Sequence, residues 1–217
     1  MRIEHLKSLS ILLFAFGLIM GSCSPFGAGT QRDTKYYVLS SMQSEAKPVQ
    51  PMANLPDIGI GVGPIRMPLY LDRSDIVTRG SLNEVEIADF SQWAGQLQEN
   101  FSRVLAENLS VLLQTDNVGV FPFIRRELLD YNITVYVTRF DGLPGDQAHL
   151  RARWSILDGK RKKSLFEKHT VASHPTDSDT TEALIAAKSI TLGQLSREIA
   201  QAIEEISKKQ PPKKKNN

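Results

Sequence analysis

The only cysteine in this 217-residue chain, Cys23, comes directly after an apolar run and two small residues, Gly21 and Ser22. The run is Ile11-Leu12-Leu13-Phe14-Ala15-Phe16-Gly17-Leu18-Ile19-Met20, with Arg2 and Lys7 ahead of it. Positive charge, then apolar residues, then small residues is the order of a secretory signal, and the run is too short for a comfortable membrane span. Residues 1–22 therefore read as a signal peptide. Export takes the chain into an oxidising compartment, yet a lone cysteine permits no intramolecular disulfide. The exported part must fold on a hydrophobic core alone. The hydrophobic share, 41%, is ordinary for a globular protein and can supply one.

Met20-Gly21-Ser22-Cys23 resembles a lipobox, with Met20 where Leu is more usual. A lipobox implies diacylglyceryl transfer to the Cys23 thiol, cleavage before it and acylation of the new amino terminus; the alternative is an ordinary secreted protein with one leftover cysteine. The covalent lipid on Cys23 is the only non-protein group expected. Each buried methylene contributes about 0.8 kcal/mol, and more than one acyl chain makes release from a membrane very slow. No second apolar segment approaches spanning length. Residues 23–35, small and polar, form the lipidated tether. In lipoproteins of this type an Asp after the cysteine usually means retention in the inner membrane. Ser24 points instead to the periplasmic face of the outer membrane.

The formal charge of +2 misleads. The tail, residues 208–217, carries five lysines, Pro211 and Pro212 and no acid. Between signal and tail, 19 basic residues face 23 acidic ones, a net of −4. A mildly acidic domain argues against a nucleic-acid partner. The tail has too little apolar surface to order itself, and reads as a solvated end or as a contact for anionic lipid.

Residues 36–207 read as one α/β domain, a mixed β-sheet with two long helices packed on it and a C-terminal antiparallel meander. Tyr36-Tyr37-Val38-Leu39 is a short strand. In 57–65, Ile58, Ile60 and Val62 alternate with glycines, giving a strand with one bare face that a neighbouring backbone or packed helix must approach. Residues 75–78 and 84–87 suggest a hairpin. Trp93, Leu97, Phe101, Val104, Leu105, Leu109 and Leu112 then recur at three and four, predicting an amphipathic helix over 91–114. A strand over 117–121 comes next, then the three meander strands 132–140, 148–157 and 164–171. In the middle one Leu150, Ala152, Trp154 and Ile156 share a face opposite His149, Arg151, Arg153 and Ser155. Asp179-Thr180-Thr181-Glu182 is a capped start for the last helix, whose stripe is Leu192, Leu195, Ile199, Ala202, Ile203 and Ile206.

Catalytic chemistry is hard to find. In Gly59-Ile60-Gly61-Val62-Gly63 the third glycine of a dinucleotide site is replaced by Pro64, and no helix comes after it. There is no phosphate loop and no serine elbow. His149, His169 and His174 have no spacing suited to a metal, so no metal site is expected. The chain reads as a non-enzyme. Lys160-Arg161-Lys162-Lys163 is either a solvated hairpin tip or a patch for anionic lipid. Trp154 is either core or a ligand platform. Leu71 to Arg79 sets Asp72, Arg73, Asp75 and Arg79 among apolar neighbours without clear periodicity. These four are candidate partner contacts on a scaffolded loop, or else an internal ion-pair turn.

Several segments in order resemble one family: the lipobox; Tyr36-Tyr37-Val38-Leu39; Ile60-Gly61-Val62-Gly63-Pro64-Ile65; Leu71-Asp72-Arg73-Ser74-Asp75-Ile76-Val77-Thr78-Arg79; Trp93 with Glu99-Asn100-Phe101; and Leu195-Ser196-Arg197-Glu198-Ile199-Ala200. The chain is similar over about Tyr36 to Ile206 to the ABC-type transport auxiliary lipoproteins, the PqiC-like family. The resemblance implies an accessory subunit of an envelope transport system. Such proteins work with MCE-domain proteins that form periplasmic tunnels for lipids or other hydrophobic molecules. The lipoprotein would dock the tunnel at the outer membrane and associate with further copies of itself, since a closed tunnel end favours a cyclic assembly. Two other readings stand beside it, a periplasmic lipid-binding carrier that holds an acyl chain between helix and sheet, and a structural lipoprotein unconnected to transport.

Overall fold

Among the described residues, alternating and helical periods give eight strands and two long helices. The computed structural model describes residues 33–44, 48–81, 83–160 and 163–209. The expected signal peptide, Cys23 and the tail beyond residue 209 lie outside the described residues. The strands are β1 (Lys35–Tyr37), β2 (Ile60–Arg66), β3 (Asp75–Thr78), β4 (Glu86–Trp93), β5 (Val118–Val120), β6 (Tyr131–Gly142), β7 (Gln147–Asp158) and β8 (Ser164–Pro175). The helices are α1 (Leu97–Leu113) and α2 (Thr181–Lys209), and Met42–Ser44 and Arg126–Leu128 form short 3-10 turns.

The strands fall into two mixed sheets. One has the order β1-β4-β3, the other β5-β2-β6-β7-β8. In the larger sheet β2 runs parallel to β5 and β6, and β6-β7-β8 is the antiparallel meander. Both helices lie against this sheet and touch each other, α1 at β5 and β2, α2 at β6, β7 and β8. Alternation dictates which face they cover. Leu150, Ala152, Trp154 and Ile156 are buried, whereas Arg151 and Arg153 are exposed. In β6 the pairing with β7 shifts register between Val137 and Arg139. A bulge of this kind moves the alternation on by one residue. Phe140 thus joins Val137 in the core and meets Phe101 of α1 edge to face, with ring centroids 5.3 Å apart.

The first helix begins later than the periodicity predicts. Residues 91–93 belong to β4, paired with β1 at Ser91, Gln92 and Trp93. The Trp93 N–H donates to Ser74 O at 2.7 Å and the Ala94 N–H to Tyr37 O at 2.9 Å, so their amides serve the small sheet. Trp93 is buried in the core like Leu97, and the spacing of four between them imitates a helical turn across a strand end. Gln114, in the left-handed region at φ 51°, stops α1. The second helix starts as the sequence indicates: the Thr180 hydroxyl accepts the Ala183 N–H at 3.2 Å. It also runs further, since Lys208 and Lys209 of the expected tail form its last turn. Lys208 donates to Glu204 one turn back at 2.6 Å, and cations suit the negative end of a helix.

The bare face of β2 is covered by a loop, not by a helix. A Cβ on Gly59 would stand 1.9 Å from the Leu128 carbonyl oxygen. One on Gly61 would meet Leu129, Asn132 and Phe123 side chains at 2.7–2.9 Å, and Gly63 has φ 115° against Phe121. The buried Asn132 amide donates to Gly61 O and Gly63 O, fastening β6 to this strand.

Phe101, fully buried at the contact of α1 with β6, should be indispensable. Phe101→Ala is expected to cost roughly 3–5 kcal/mol, read as a large fall in the thermal midpoint. An unchanged midpoint would mean the ring is not core.

Candidate functional site

The segment singled out in the sequence divides into an inner and an outer part. Arg79 points inward. Its Nε donates to Asp141 Oδ2 at 2.8 Å, and its backbone N–H donates to Gly142 O at 3.0 Å. Arg139 Nε donates to the other oxygen, Asp141 Oδ1, at 2.6 Å. Tyr70 OH donates to Asp141 Oδ2 at 3.4 Å and accepts from Arg79 Nη2 at 3.2 Å. Asp141 itself is fully buried. Burial pushes the Tyr70 phenol above its usual range, with the Asp141 charge adding to it. The bond to Asp141 holds Arg79 still more firmly protonated.

Arg73 and Asp75 form the outer part. Arg73 Nε and Nη2 both donate to Asp75 Oδ2, at 2.9 and 2.6 Å, at an exposed site. Gln92 Nε2 approaches Asp75 Oδ1 at 3.4 Å. Asp72 lies between the two parts, half-buried, with Oδ1 lacking a hydrogen-bond partner among the described residues. Leu69, at the head of the same loop, is 87% exposed. The four predicted residues therefore do not make one surface: Arg73 and Asp75 are available to a partner beside Leu69, while Arg79 ties the loop to β6. Cys23 lies outside the described residues.

Sequence reasoning missed Lys188, whose side chain is buried behind this cluster. Its Nζ sits 5.4 Å from the Trp93 ring centroid and 5.5 Å from that of Phe140, a cation over two aromatic faces. Burial lowers its pKa to about 8, opposed by the charge of Asp141. The lysine falls on the apolar side of α2, a polar break in a buried stripe, and that break is the only signal the sequence offers. His149, opposite Asp141 in the β6–β7 ladder, is pushed down by burial first and by Arg139 second. Among the described residues no group of three or more His, Cys, Asp or Glu could hold a metal ion, and no helix is long and apolar enough to cross a membrane.

Two of the open cavities lie away from the helices. One of about 640 Å³ lies on the uncovered face of the large sheet, among Arg66, Tyr136, Arg153, Glu167, Lys168 and His169. The other, about 490 Å³ and more apolar, lies between β5 and the loop over β2, lined by Phe123, Ile124, Leu128 and Leu129. Neither lies between the helices and the sheet; a third, of about 180 Å³, opens where the end of α2 meets β8, beside Phe166 and Ile206, and further in Phe101, Leu105, Leu109, Phe140 and Trp154 fill the space. Trp154 is core: its Nε1 donates to the buried Thr170 hydroxyl at 2.9 Å, and its ring stacks on Phe166.

Two substitutions should separate the roles of the buried charges. Asp141→Asn should cost about 3–5 kcal/mol, since it leaves two half-covered guanidinium groups without a counter-charge. Lys188→Met should be neutral or stabilising by about 1–4 kcal/mol, because Asp141 keeps both arginines. The pH dependence has a definite sign. The buried lysine binds its proton less tightly than the unfolded chain, so its burial penalty is full below pH 8 and lifts between about 8 and 10.5. Denaturant titrations should show the parent gaining stability on Lys188→Met across that window as pH rises. A constant difference would contradict this.

Comparison with known proteins agrees with this architecture. A protein from Xanthomonas campestris, of family model DUF330, superposes with a TM-score of 0.65 at 16% identity, covering 81% of this chain and 98% of its own. A second crystal structure, of a protein without an assigned function, gives a TM-score of 0.64 at 19% identity, covering 79% and 99%. At such identities the likeness shows the fold alone. A search of curated protein sequences finds no match. The family model of the ABC-type transport auxiliary lipoprotein component, however, matches residues 37–200, from β1 through most of α2. The chain belongs to the family of ABC-type transport auxiliary lipoprotein components.

Proposed function

We propose that this protein is an outer-membrane-anchored docking subunit of an envelope transport system that moves lipids or other hydrophobic molecules between the two membranes. Its partner in this reading is an MCE-domain tunnel protein, and it acts by contact, without catalysis. The observation that carries the docking role is the filled helix–sheet interface. A carrier of an acyl chain needs an apolar cavity of ~300 Å³ or more, and here that space is taken by Phe101, Leu105, Phe140 and Trp154. The surface is left to do the work, and the loop bearing Leu69, Arg73 and Asp75 is held rigidly from below by the Arg79–Asp141 ion pair.

The lipid on Cys23 and the sorting signal at Ser24 complete the proposal. Cys23→Ala should abolish labelling by a fatty-acid analogue, and equal labelling of parent and variant would remove the anchor from the account. Ser24→Asp should move the protein to inner-membrane fractions on a density gradient.

The mature protein should associate with a purified MCE-domain protein from the same organism and with further copies of itself. Arg73→Glu should weaken that association while shifting the thermal midpoint by no more than about a degree or two, as for a surface change. A protein that ignores every such partner yet co-purifies with phospholipid would favour the carrier reading instead.

A further inference from the structure

Two exposed surfaces of this domain carry opposite charge. The first is the uncovered face of the large sheet. Register sets Arg66, Tyr136, Arg153 and His169 side by side in one row across β2, β6, β7 and β8, and all four are exposed. The Arg153 guanidinium lies 5.7 Å from the centroid of the Tyr136 ring. Arg151 and Val171 form the next row and are exposed as well. The cavity of about 640 Å³ is the hollow of this face. Glu167, opposite Ser155, is the acid that stands on it. At its margins Arg139 is paired with Asp141 and Lys168 with Glu198, so those charges cancel. Three arginines (66, 151 and 153) against the one glutamate leave a net of +2.

The second surface is the arm formed by the end of β3 and the start of β4. Glu84, Val85, Glu86 and Ile87 are exposed at four successive positions, so neither side of the chain is covered there. Asp89 and Phe90 are exposed beyond them. No base occurs in the sequence between Arg79 and Arg103. Arg79 is turned inward onto Asp141, and Lys35, opposite Ser91 on β1, adjoins the arm from the next strand. Three acids against that one base leave a net of −2. Phe90 is held at φ 53°, a left-handed conformation that is costly for a bulky residue, while its ring stays half exposed. Strain retained at an exposed aromatic points to a contact outside the domain.

The two surfaces are complementary. Glu84 and Glu86 stand two residues apart, as do Arg151 and Arg153, a repeat of about 7 Å along extended chain. Val85, Ile87 and Phe90 have exposed apolar counterparts in Tyr136 and Val171. We propose that the acidic β3–β4 arm of one copy docks on the basic face of the large sheet of the next. The inference rests on the self-association proposed above and names its two surfaces. A second copy is the occupant that accounts for both, since each copy supplies what the other lacks. Arm and face are different surfaces, so the contact is head to tail, and its repetition closes a ring or builds a filament. The Arg79–Asp141 pair fixes the base of the arm to the large sheet, which presents the arm in one position.

The test is sedimentation velocity on the mature lipidated protein in a neutral detergent. The parent should associate, and less so as salt is raised. Glu86→Arg and Arg153→Glu, each alone, should weaken self-association by about ten-fold, because an attraction becomes a repulsion at an exposed site. Both are surface changes and should leave the thermal midpoint within about a degree or two. An equimolar mixture of the two variants should recover the parent's association, since each arm then meets a face of opposite sign. Phe90→Gly should weaken association while leaving the midpoint unchanged or higher, because glycine takes this φ without strain. An associated parent with variants that associate undiminished, or a mixture no better than either variant alone, would overturn these surfaces and leave self-association standing. A monomeric parent would overturn self-association itself, and the arm-on-face contact with it.

Discussion

The carboxylate of Asp141 is the constraint on which the arrangement of the two sheets depends. It is fully buried near the end of β6, and it accepts from Arg139 of its own strand and from Arg79 at the end of β3. A buried carboxylate is costly unless every lone pair finds a donor. Here Arg139 supplies one donor, and Arg79, just past the end of β3, supplies the other by bringing the small sheet, with Tyr70 behind it, against the end of the central strand β6. The Arg79 amide bonded to Gly142 fixes the same junction through the backbone. The loop between β2 and β3, which bears Leu69 and the Arg73–Asp75 pair, is thereby pinned at its inner end and exposed at its outer one. A contact surface built in this way costs little ordering entropy on binding, because the scaffold has already set its position.

Lys188 shows the other side of the same chemistry. Its ammonium lies under two aromatic rings within reach of the Asp141 field, yet the carboxylate is already served by two guanidinium groups. Its retention in the core is not explained by stability. A buried ionic group can instead select one packing over its competitors, and α2 has a long apolar face that could otherwise slide along the sheet.

Much of the fold is legible in the sequence because its periods are clean. Alternation in 148–157 places Trp154 and Leu150 inward and Arg151 and Arg153 outward, as found. The stripe from Leu192 to Ile203 is buried throughout. Legibility ends where two elements share a spacing. Trp93 and Leu97 are four apart, as in a helix, although a strand ends between them, and only the partners of the Trp93 and Ala94 amides reveal it. The bulge near Thr138 is likewise invisible until β7 is placed beside β6. The glycines of β2 announce a close approach but not its agent, because the covering loop is remote in sequence. The four charged residues between Leu71 and Arg79 could not be sorted into inner and outer, since the partner that buries Arg79 lies 62 residues away.

The proposed role gives the surface at the Leu69 loop to a protein partner, above a filled core. The most direct test of the docking claim places a photo-crosslinking residue at Leu69 in living cells. The account predicts a crosslink to an MCE-domain protein, lost when Arg73 is reversed in charge. Crosslinks to phospholipid alone, unaffected by Arg73, would contradict it.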